Sequence, residues 1–351
     1  MSGFPKQNVQ LASHEKLFNH PQCPTEFRRA SVVQTIQAGQ HKRARRQLKR
    51  AYKQLFALDD YDFQFLLYLA DLRNQINAFS PVSKTDPDTG EVSHGWTQTL
   101  MQGHGALRDY FNADIEKLIE AGLLYYPSID GIQRKRLIRK PYYCITREAL
   151  DCVNKSVQGP DIGDLGESVT HSLGCRLVAE YLRRAVEQQT GDSVRVEYFV
   201  ERLVDEHTVD VVALKETPDN QGMKVFAVAE VETGLNRENE VLADMAKLGQ
   251  VDSPRKLWVA PTRQLVNRML NVVLKRDWYD IDPVPQDLPL LTGEGILHNT
   301  NRRLRDAEYT PEDVQWTDVP HTPVTDVLSY MDLYDILKNQ FDASMFDTPC
   351  V

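Results

Sequence analysis

At 351 residues the chain is long enough for two hydrophobic cores, because a single core rarely grows beyond roughly 250 residues. Its longest apolar runs, such as VFAVA and FLLYLA, are far short of the roughly 20 residues of a membrane span, and the first residues lack the apolar core of a signal peptide. The five cysteines have no metal-ligand spacing, so we expect reduced thiols in a cytoplasmic protein without a membrane partner.

The net charge of −9 is distributed unevenly along the chain. Residues 1–150 hold 21 lysines and arginines against 15 acids, a net of +6, and residues 151–351 hold the remaining 20 against 35, a net of −15. A basic half joined to an acidic half indicates that the first half meets a polyanion. Ordinary variation of surface charge is the alternative.

Residues 1–54 are predicted to form a polar arm followed by a basic helix. The segment HKRARRQLKRAYKQL places seven lysines and arginines between Lys42 and Lys53, with no acid, among good helix formers. Because like charges four residues apart repel, a phosphate backbone beside Arg43 and Arg46 would stabilise this helix. A solvated helix or a contact for a partner protein is the alternative.

Residues 55–155 predict a series of short elements. Apolar residues at helical spacing follow Asp59, and the next segment, SPVSKTDPDTGEVSHG, predicts a long loop. The segment ALRDYFNADIEKLIEAGLLYY predicts one helix that stops at Gly122 and then a strand. A turn at Asp130 leads to a basic stretch, a second strand and a closing helix capped by Thr146.

This order, with the segments DIEKLIEAGLL and YYCITREAL, resembles the winged helix-turn-helix superfamily over residues 55–155. The resemblance implies that the third helix lies in the major groove of DNA and that the hairpin wing contacts the backbone or minor groove. Arg108 and Asn112, on the predicted solvent face of that helix, would reach base edges. Five wing cations would contact phosphates: Arg134, Lys135, Arg136, Arg139 and Lys140. Many winged helices bind proteins instead, and RNA is not distinguished from DNA.

Residues 160–280 predict a helix, three strands, a helix, a strand and a further helix. Since the last strand is reached through a helical crossover, the result is a small mixed sheet flanked by helices. The stretch KVFAVAEVETG predicts a buried strand that ends in Glu230 and Glu232. Residues two apart on a strand share a face, so these carboxylates crowd together unless a cation or a proton intervenes.

Glu167 on the first helix, Asp210 on a strand and Glu230 on the next strand resemble the site of the PD-(D/E)XK, or restriction-endonuclease-like, superfamily. The resemblance implies Mg²⁺ held by these three carboxylates, cleavage of phosphodiester bonds, and a lysine two positions after the last acid that orients the attacking water. Here that position is Glu232. Lys247, on the following helix, is the candidate replacement, so the expected catalytic residues are Asp210, Glu230, Glu232 and Lys247.

The expected fold class is therefore α+β, with an N-terminal winged helix and a C-terminal restriction-endonuclease-like α/β domain. A winged helix followed by E-x-E-T-G also resembles the replication-relaxation type proteins of mobile elements and of archaeal plasmids or viruses, which implies a DNA partner. The alternative is a protein-interaction adaptor without nuclease activity, in which each acid has only a structural role. Residues 281–351 predict an extension whose helical segment TDVLSYMDLYDILKNQF packs on the core or on a second copy of the chain, as a homo-oligomer.

Overall fold

Helices and strands alternate along the chain in a computed structural model. The structure describes residues 41–74, 80–97, 100–153, 168–190, 194–204, 207–216, 222–234, 238–276, 279, 294–309 and 321–340. These residues form a mixed helical and sheet structure, in agreement with the expected α+β class. None of the helices in these ranges combines the length and the apolar character that crossing a bilayer requires.

The first part, residues 41–153, consists of short helices and small hairpins around one core. Its elements are α1 (His41–Phe56), α2 (Asp60–Asn74), β1 (Ser80–Thr85), β2 (Val92–Thr97), a 3-10 turn (Leu100–Gln102), α3 (Gly105–Phe111), α4 (Ile115–Glu120), β3 (Leu124–Tyr125), β4 (Ser128–Ile129), β5 (Ile132–Gln133), β6 (Arg136–Leu137), β7 (Lys140–Pro141), β8 (Cys144–Ile145) and α5 (Arg147–Val153). Buried residues of α2, α3, α4 and α5 form the centre of this core.

The segment predicted as a long loop contains the antiparallel hairpin β1–β2. Its turn is confined to residues 86–90, where Asp86 accepts the backbone N–H of Thr89 and Gly90 has a φ of 72°. Val82 on β1 is buried in the core of the first part. The loop prediction was wrong because the turn-forming residues are concentrated at the tip, while the flanking residues form two short strands.

The single helix predicted over ALRDYFNADIEKLIEAG is two helices, α3 and α4. Asn112 ends α3 in the left-handed conformation, with a φ of 54°, and the Asp114 side chain accepts the backbone N–H of Lys117 to begin α4. Asn and Asp favour these two positions because their short polar side chains tolerate the left-handed region and cap helices. The unbroken apolar spacing concealed this break. Gly122, with a φ of 68°, follows α4 as predicted.

The predicted basic wing consists of two tight hairpins, β4–β5 and β6–β7. The first turns at Asp130 and Gly131, with φ of 54° and 72°, as predicted. The second turns at Ile138 and Arg139, with φ of 41° and 65°. β3 pairs with β8, and the hydroxyl of Thr146 caps α5, which confirms the predicted cap.

The second part contains a five-stranded mixed sheet with helices on both faces. Its elements are α6 (Val169–Thr190), β9 (Val194–Val204), β10 (His207–Glu216), β11 (Met223–Val231), α7 (Glu238–Gln250), β12 (Arg255–Ala260), α8 (Arg263–Leu274), α9 (Glu294–Asp306), β13 (Asp326–Ser329) and α10 (Tyr330–Gln340). The strand order is β13-β12-β11-β10-β9; β9, β10 and β11 are antiparallel, and β11, β12 and β13 are parallel. The helical crossover α7 between β11 and β12 agrees with the sequence prediction.

The segment TDVLSYMDLYDILKNQF, predicted as a helix, begins with strand β13. All four residues of β13 are buried, the pattern of a strand that is covered on both faces. α10 follows, and its residues Leu333 and Leu337 join the core formed by α6 and the sheet. This segment therefore packs on the core, the first of the two placements expected, and it completes the sheet.

The two parts share a hydrophobic contact. Leu137 of the second hairpin belongs to the same buried cluster as Leu173 of α6 and Leu333 of α10. Arg268 of α8 forms an ion pair with Asp130 at the turn of the first hairpin. The hairpins therefore contact three helices of the second part, α6, α10 and α8.

Candidate metal and phosphate site

Asp210 and Glu230 lie side by side on neighbouring strands. The pairing of β10 with β11 places Val211 opposite Ala229, so the residues next to them meet at the end of the strand pair. The backbone N–H of Asp210 faces Glu230 Oε1 at 3.4 Å, and the N–H of Val231 donates to Asp210 Oδ2 at 2.8 Å. Both carboxylates are largely buried, with side-chain exposures of 14% for Asp210 and 5% for Glu230.

Lys247 reaches this carboxylate pair from α7. Its ammonium donates to Glu230 Oε2 at 2.7 Å and to the carbonyl oxygen of Thr208 at 3.0 Å, and it lies 3.7 Å from Asp244 Oδ1. The crossover from β11 to β12 brings α7 over the strand ends, so a lysine far along the sequence enters the site. The structure thus brings Asp210, Glu230 and Lys247 together.

The site contains more buried or half-buried acidic side chains than basic ones: Asp210, Glu230 and Asp244 surround the ammonium of Lys247. Burial raises the pKa of Glu230 well above its usual value, and Asp210 raises it further, while Lys247 opposes both. Burial alone would lower the pKa of Lys247, but the carboxylates of Glu230 and Asp244 outweigh it, so this pKa is raised. The lysine therefore stays charged, and the neighbouring carboxylates have a strong affinity for a further proton or cation.

Glu232 contacts the same group of acids from the turn after β11. Burial, followed by a hydrogen bond with Asp244 and the charges of Asp244 and Asp210, raises the pKa of Glu232 to about 8. Its backbone N–H donates to the carbonyl of Val259 at 2.8 Å, which fixes the turn on β12. Glu232 therefore shares a proton with Asp244, whereas the crowding that the sequence predicted was between Glu232 and Glu230.

The pH dependence of stability tests this proton. Glu232 keeps a proton in the folded protein up to about pH 8, whereas the unfolded chain releases it near pH 4.5, the ordinary value. Without divalent cations, we therefore expect stability to fall as the pH rises from about 5 to about 8, by at most about 1.4 kcal/mol per pH unit. Urea unfolding should show a flatter profile for Glu232→Gln. Equal slopes in both proteins would contradict the assignment.

The helix α6 contributes His171 and Cys175 to the site. His171 Nε2 lies 3.1 Å from Asp210 Oδ2, and Cys175 Sγ lies 3.8 Å from His171 Nδ1. One ligand atom from each of His171, Cys175 and Asp210 lies within 4.8 Å of the others, a geometry that can hold a metal ion. Imidazole and thiolate are ligands of softer metals than Mg²⁺, whereas the carboxylates of Asp210 and Glu230 suit hard cations.

His171, Cys175 and Asp210 offer a nitrogen, a sulfur and an oxygen ligand atom, a mixed set that does not by itself select Mg²⁺. Burial and the neighbouring acids raise the pKa of both Glu230 and Glu232, and Lys247 offsets this effect only in part at Glu230. Glu167, the third predicted Mg²⁺ ligand, lies outside the described residues. The sequence analysis did not single out Cys175 or Asp244. The signal available for them was helical spacing, which places Cys175 on the same helix face as His171 and Asp244 on the same face as Lys247.

The comparisons with known proteins give no match. No protein-family model, no curated protein and no solved structure matches this chain.

The predicted base-reading residues do not occupy a common helix face. Arg108 lies on α3 and is held by Asp109 at 2.6 Å and by the hydroxyl of Tyr143 at 3.5 Å. Asn112 is the residue that ends α3. The helix from which both were predicted to project is divided into α3 and α4, so Arg108 lies in its first half and Asn112 at the break between the two halves.

The predicted basic helix is partly neutralised within the protein. Lys49 and Lys53 both pair with Asp60 of α2, at 2.8 and 2.5 Å. Arg46 is exposed on α1, and Arg43 belongs to the same helix, but its side chain lies outside the described residues. The sequence predicted that a phosphate backbone would reduce the repulsion between the like charges of this helix. In the structure, Asp60 of the neighbouring helix α2 reduces that repulsion at Lys49 and Lys53.

The wing cations differ in their surroundings. Arg134 and Arg136 are exposed, and Lys135 is exposed but lies 3.6 Å from Glu116 of α4. Arg139, at the second turn, lies 4.0 Å from Asp335 of α10, and Lys140 lies over the ring of Tyr334 of the same helix. The second hairpin therefore faces α10, and the cations between the two hairpins face solvent.

Proposed function

We propose that the protein binds DNA and that its five-stranded part is a metal-dependent endonuclease. The observation that supports this most strongly is the position of Lys247, whose ammonium lies 2.7 Å from Glu230 beside Asp210. The order of helix, three strands, helix and strand also agrees with the restriction-endonuclease-like resemblance of the sequence. The exposed cations Arg134 and Arg136 provide a surface for phosphate contacts.

The residues of the site have separable roles in this proposal. Asp210, whose Oδ2 is fixed by the N–H of Val231 and by His171, and Glu230 would hold the cation. A bound divalent ion supplies Lewis-acid charge to a phosphate and lowers the pKa of a coordinated water. Lys247 donates two of its three N–H groups to Glu230 and Thr208, so the third can reach a water molecule or a phosphate oxygen.

Plasmid cleavage tests the proposal. The wild type should nick supercoiled DNA when Mg²⁺ or Mn²⁺ is added and should stop when EDTA is added. Asp210→Asn keeps the size of the side chain but removes the charge that holds the cation, so cleavage should fall about a hundredfold. Glu197→Gln, on the edge strand β9, is the matched control and should cut normally. Equal cleavage by wild type and Asp210→Asn would refute the assignment.

A second candidate is a protein-interaction adaptor. The solvent side of α4, the helix expected to enter the major groove, carries Glu116 and Glu120, while Lys117 is paired with Asp114 at 3.0 Å. Exposed acids on this helix repel DNA phosphates and suit a basic partner protein. A protein that does not bind DNA at low salt and does not cut it with metal would favour the adaptor.

A further inference from the structure

Three chemically different ligand groups meet where α6 packs against β10. His171 and Cys175 are four residues apart in α6, so their side chains lie on the same helix face, and Asp210 comes from β10. One ligand atom from each of the three lies within 4.8 Å of the other two. Ligand atoms around a tetrahedral zinc ion are roughly 3.3–3.6 Å apart, so side-chain shifts of about 1 Å complete the coordination.

The two helix ligands are fixed in place by the surrounding structure. Ser168 Oγ accepts the backbone N–H of His171 at 3.1 Å, at the start of α6. His171 is 7% exposed and Cys175 is fully buried, and the ring of Phe199 lies 6.0 Å from the imidazole. Asp210 is the most exposed of the three ligands, with a side-chain exposure of 14%. An ion therefore enters from the side of the carboxylate.

The chemistry of the three ligands selects the class of ion. A thiolate and an imidazole are the usual ligands of Zn²⁺ and of related thiophilic ions, which also accept a carboxylate oxygen. Mg²⁺ requires oxygen ligands in near-octahedral geometry, so the sulfur of Cys175 does not suit it. This ligand set therefore differs in preference from the carboxylate pair of Asp210 and Glu230.

Asp210 belongs to both groups of ligands. Its Oδ2 accepts the N–H of Val231 at 2.8 Å and lies 3.1 Å from His171 Nε2, while its backbone N–H faces Glu230 Oε1 at 3.4 Å. When His171 coordinates an ion, the imidazole no longer serves only to hold Asp210 Oδ2. Occupation of one group of ligands therefore affects the other.

We propose that His171, Cys175 and Asp210 form a site for a thiophilic divalent ion such as Zn²⁺, and that this ion weakens the binding of a hard cation by Asp210 and Glu230. The thiol of Cys175 releases its proton to solvent when it binds the ion, and the thiolate neutralises one of the two positive charges. The remaining charge repels a second cation, and Asp210 divides its own charge between the two ions. The second statement rests on the proposed function, whereas the first does not.

Co²⁺ is the probe for the thiolate site, because Co²⁺ bound to a thiolate absorbs light and Zn²⁺ does not. The reduced, metal-free, full-length protein should gain a thiolate-to-cobalt absorption band with Co²⁺, and Zn²⁺ should remove that band. Cys175→Ala should lose the band. Since losing even a partner that orients a ligand costs about 10–100-fold in metal affinity, His171→Gln and Asp210→Asn should weaken Co²⁺ binding at least about tenfold.

Cys152→Ala is the matched control, because Cys152 is also a buried thiol but lies on α5 in the core of the first part. It should keep the band at full intensity. Cys175→Ser is the second variant, with a side chain of similar size, and urea unfolding without metal should show that each variant is folded. A band that is absent from the wild type, a band that persists in Cys175→Ala, or an unchanged Co²⁺ affinity in Asp210→Asn would overturn the site.

Mn²⁺ binding without DNA tests the effect on the hard cation. The electron paramagnetic resonance signal of free Mn²⁺ measures how much of the ion is bound. One equivalent of Zn²⁺ should weaken Mn²⁺ binding at least about tenfold in the wild type but not in Cys175→Ala. Equal effects of Zn²⁺ in both proteins would overturn the competition. A wild type that shows the cobalt band but does not bind Mn²⁺ would contradict the proposed function and the competition, while the thiolate site would stand.

Discussion

Replacing Lys247 with methionine is expected to destabilise the protein by about 3–5 kcal/mol and to slow metal-dependent cleavage by about 10²–10³-fold. The ammonium of Lys247 lies 2.7 Å from the carboxylate of Glu230, which is 4% exposed and also faces Asp210. Without this ammonium, the buried carboxylate of Glu230 loses the cation that it contacts. The loss of stability should be larger at pH 8 than at pH 5, because Glu230 relieves it by keeping a proton at low pH.

The double variant Lys247→Met/Glu230→Gln separates the two effects. A neutral amide beside a methionine carries no unpaired buried charge, so urea unfolding should show most of the lost stability restored. Cleavage should remain at the level of the single variant or lower, since the ammonium and a metal-binding carboxylate are both absent. Recovery of cleavage in the double variant, or an unfolding free energy of Lys247→Met equal to that of the wild type, would contradict the assigned role.

The second part of the fold follows closely from its sequence. Apolar strands such as VFAVA and the helical periodicity of α7 and α8 give the order of elements, and the crossover rule gives the parallel pair β11–β12. β13 was missed because four buried residues joined directly to a helix show no alternation. A short apolar run of this kind is compatible with either structure, and only pairing with β12 decides between them.

The first part is less predictable because its elements are short. Asn112 and Asp114 divide α3 from α4 through local backbone preferences, whereas the apolar stripe continues across the break. The hairpins β4–β5 and β6–β7 have strands of two residues each, too short for a periodic signal. Turn residues predicted the first of them, at Asp130 and Gly131, but not the second, where Ile138 and Arg139 adopt positive φ without a glycine.

In the candidate site, too, some residues could be predicted from the local sequence and others depend on how distant elements pack together. Glu230 and Glu232 could be selected because two acids at the end of a buried strand are unusual in any context. Asp244 and Cys175 could not, because a single acid or thiol on a helix is common, and only the packing of α7 and α6 against the strand ends places them near Asp210. Spacing indicates which residues share a face, and the packing of elements decides which faces meet.

Gly174→Ala is expected to destabilise the protein by about 3 kcal/mol, although alanine is the better helix former by about 1 kcal/mol. Gly174 lies within α6, and a Cβ at this position would overlap the hydroxyl of Tyr330 and a methyl group of Val231. Neither neighbour can move easily. Val231 lies on the central strand β11, and the Tyr330 hydroxyl donates to the carbonyl of Thr170 at 2.9 Å.

The overlap should also affect the site, because the N–H of Val231 holds Asp210 Oδ2 at 2.8 Å. A displacement of about 1 Å at this strand end would slow cleavage up to a hundredfold. Gly234→Ala is the matched control: a Cβ there meets nothing within 4 Å, so stability and cleavage should be unchanged.

The substitution Tyr330→Phe tests the same contact from the other side. Alone, it should destabilise the protein by about 1 kcal/mol because the hydroxyl loses its hydrogen bond, but in combination with Gly174→Ala it removes one of the overlapping atoms. The double variant should therefore be more stable than the sum of the two losses predicts, and strict additivity in urea unfolding would show that α6 and Tyr330 do not meet as described.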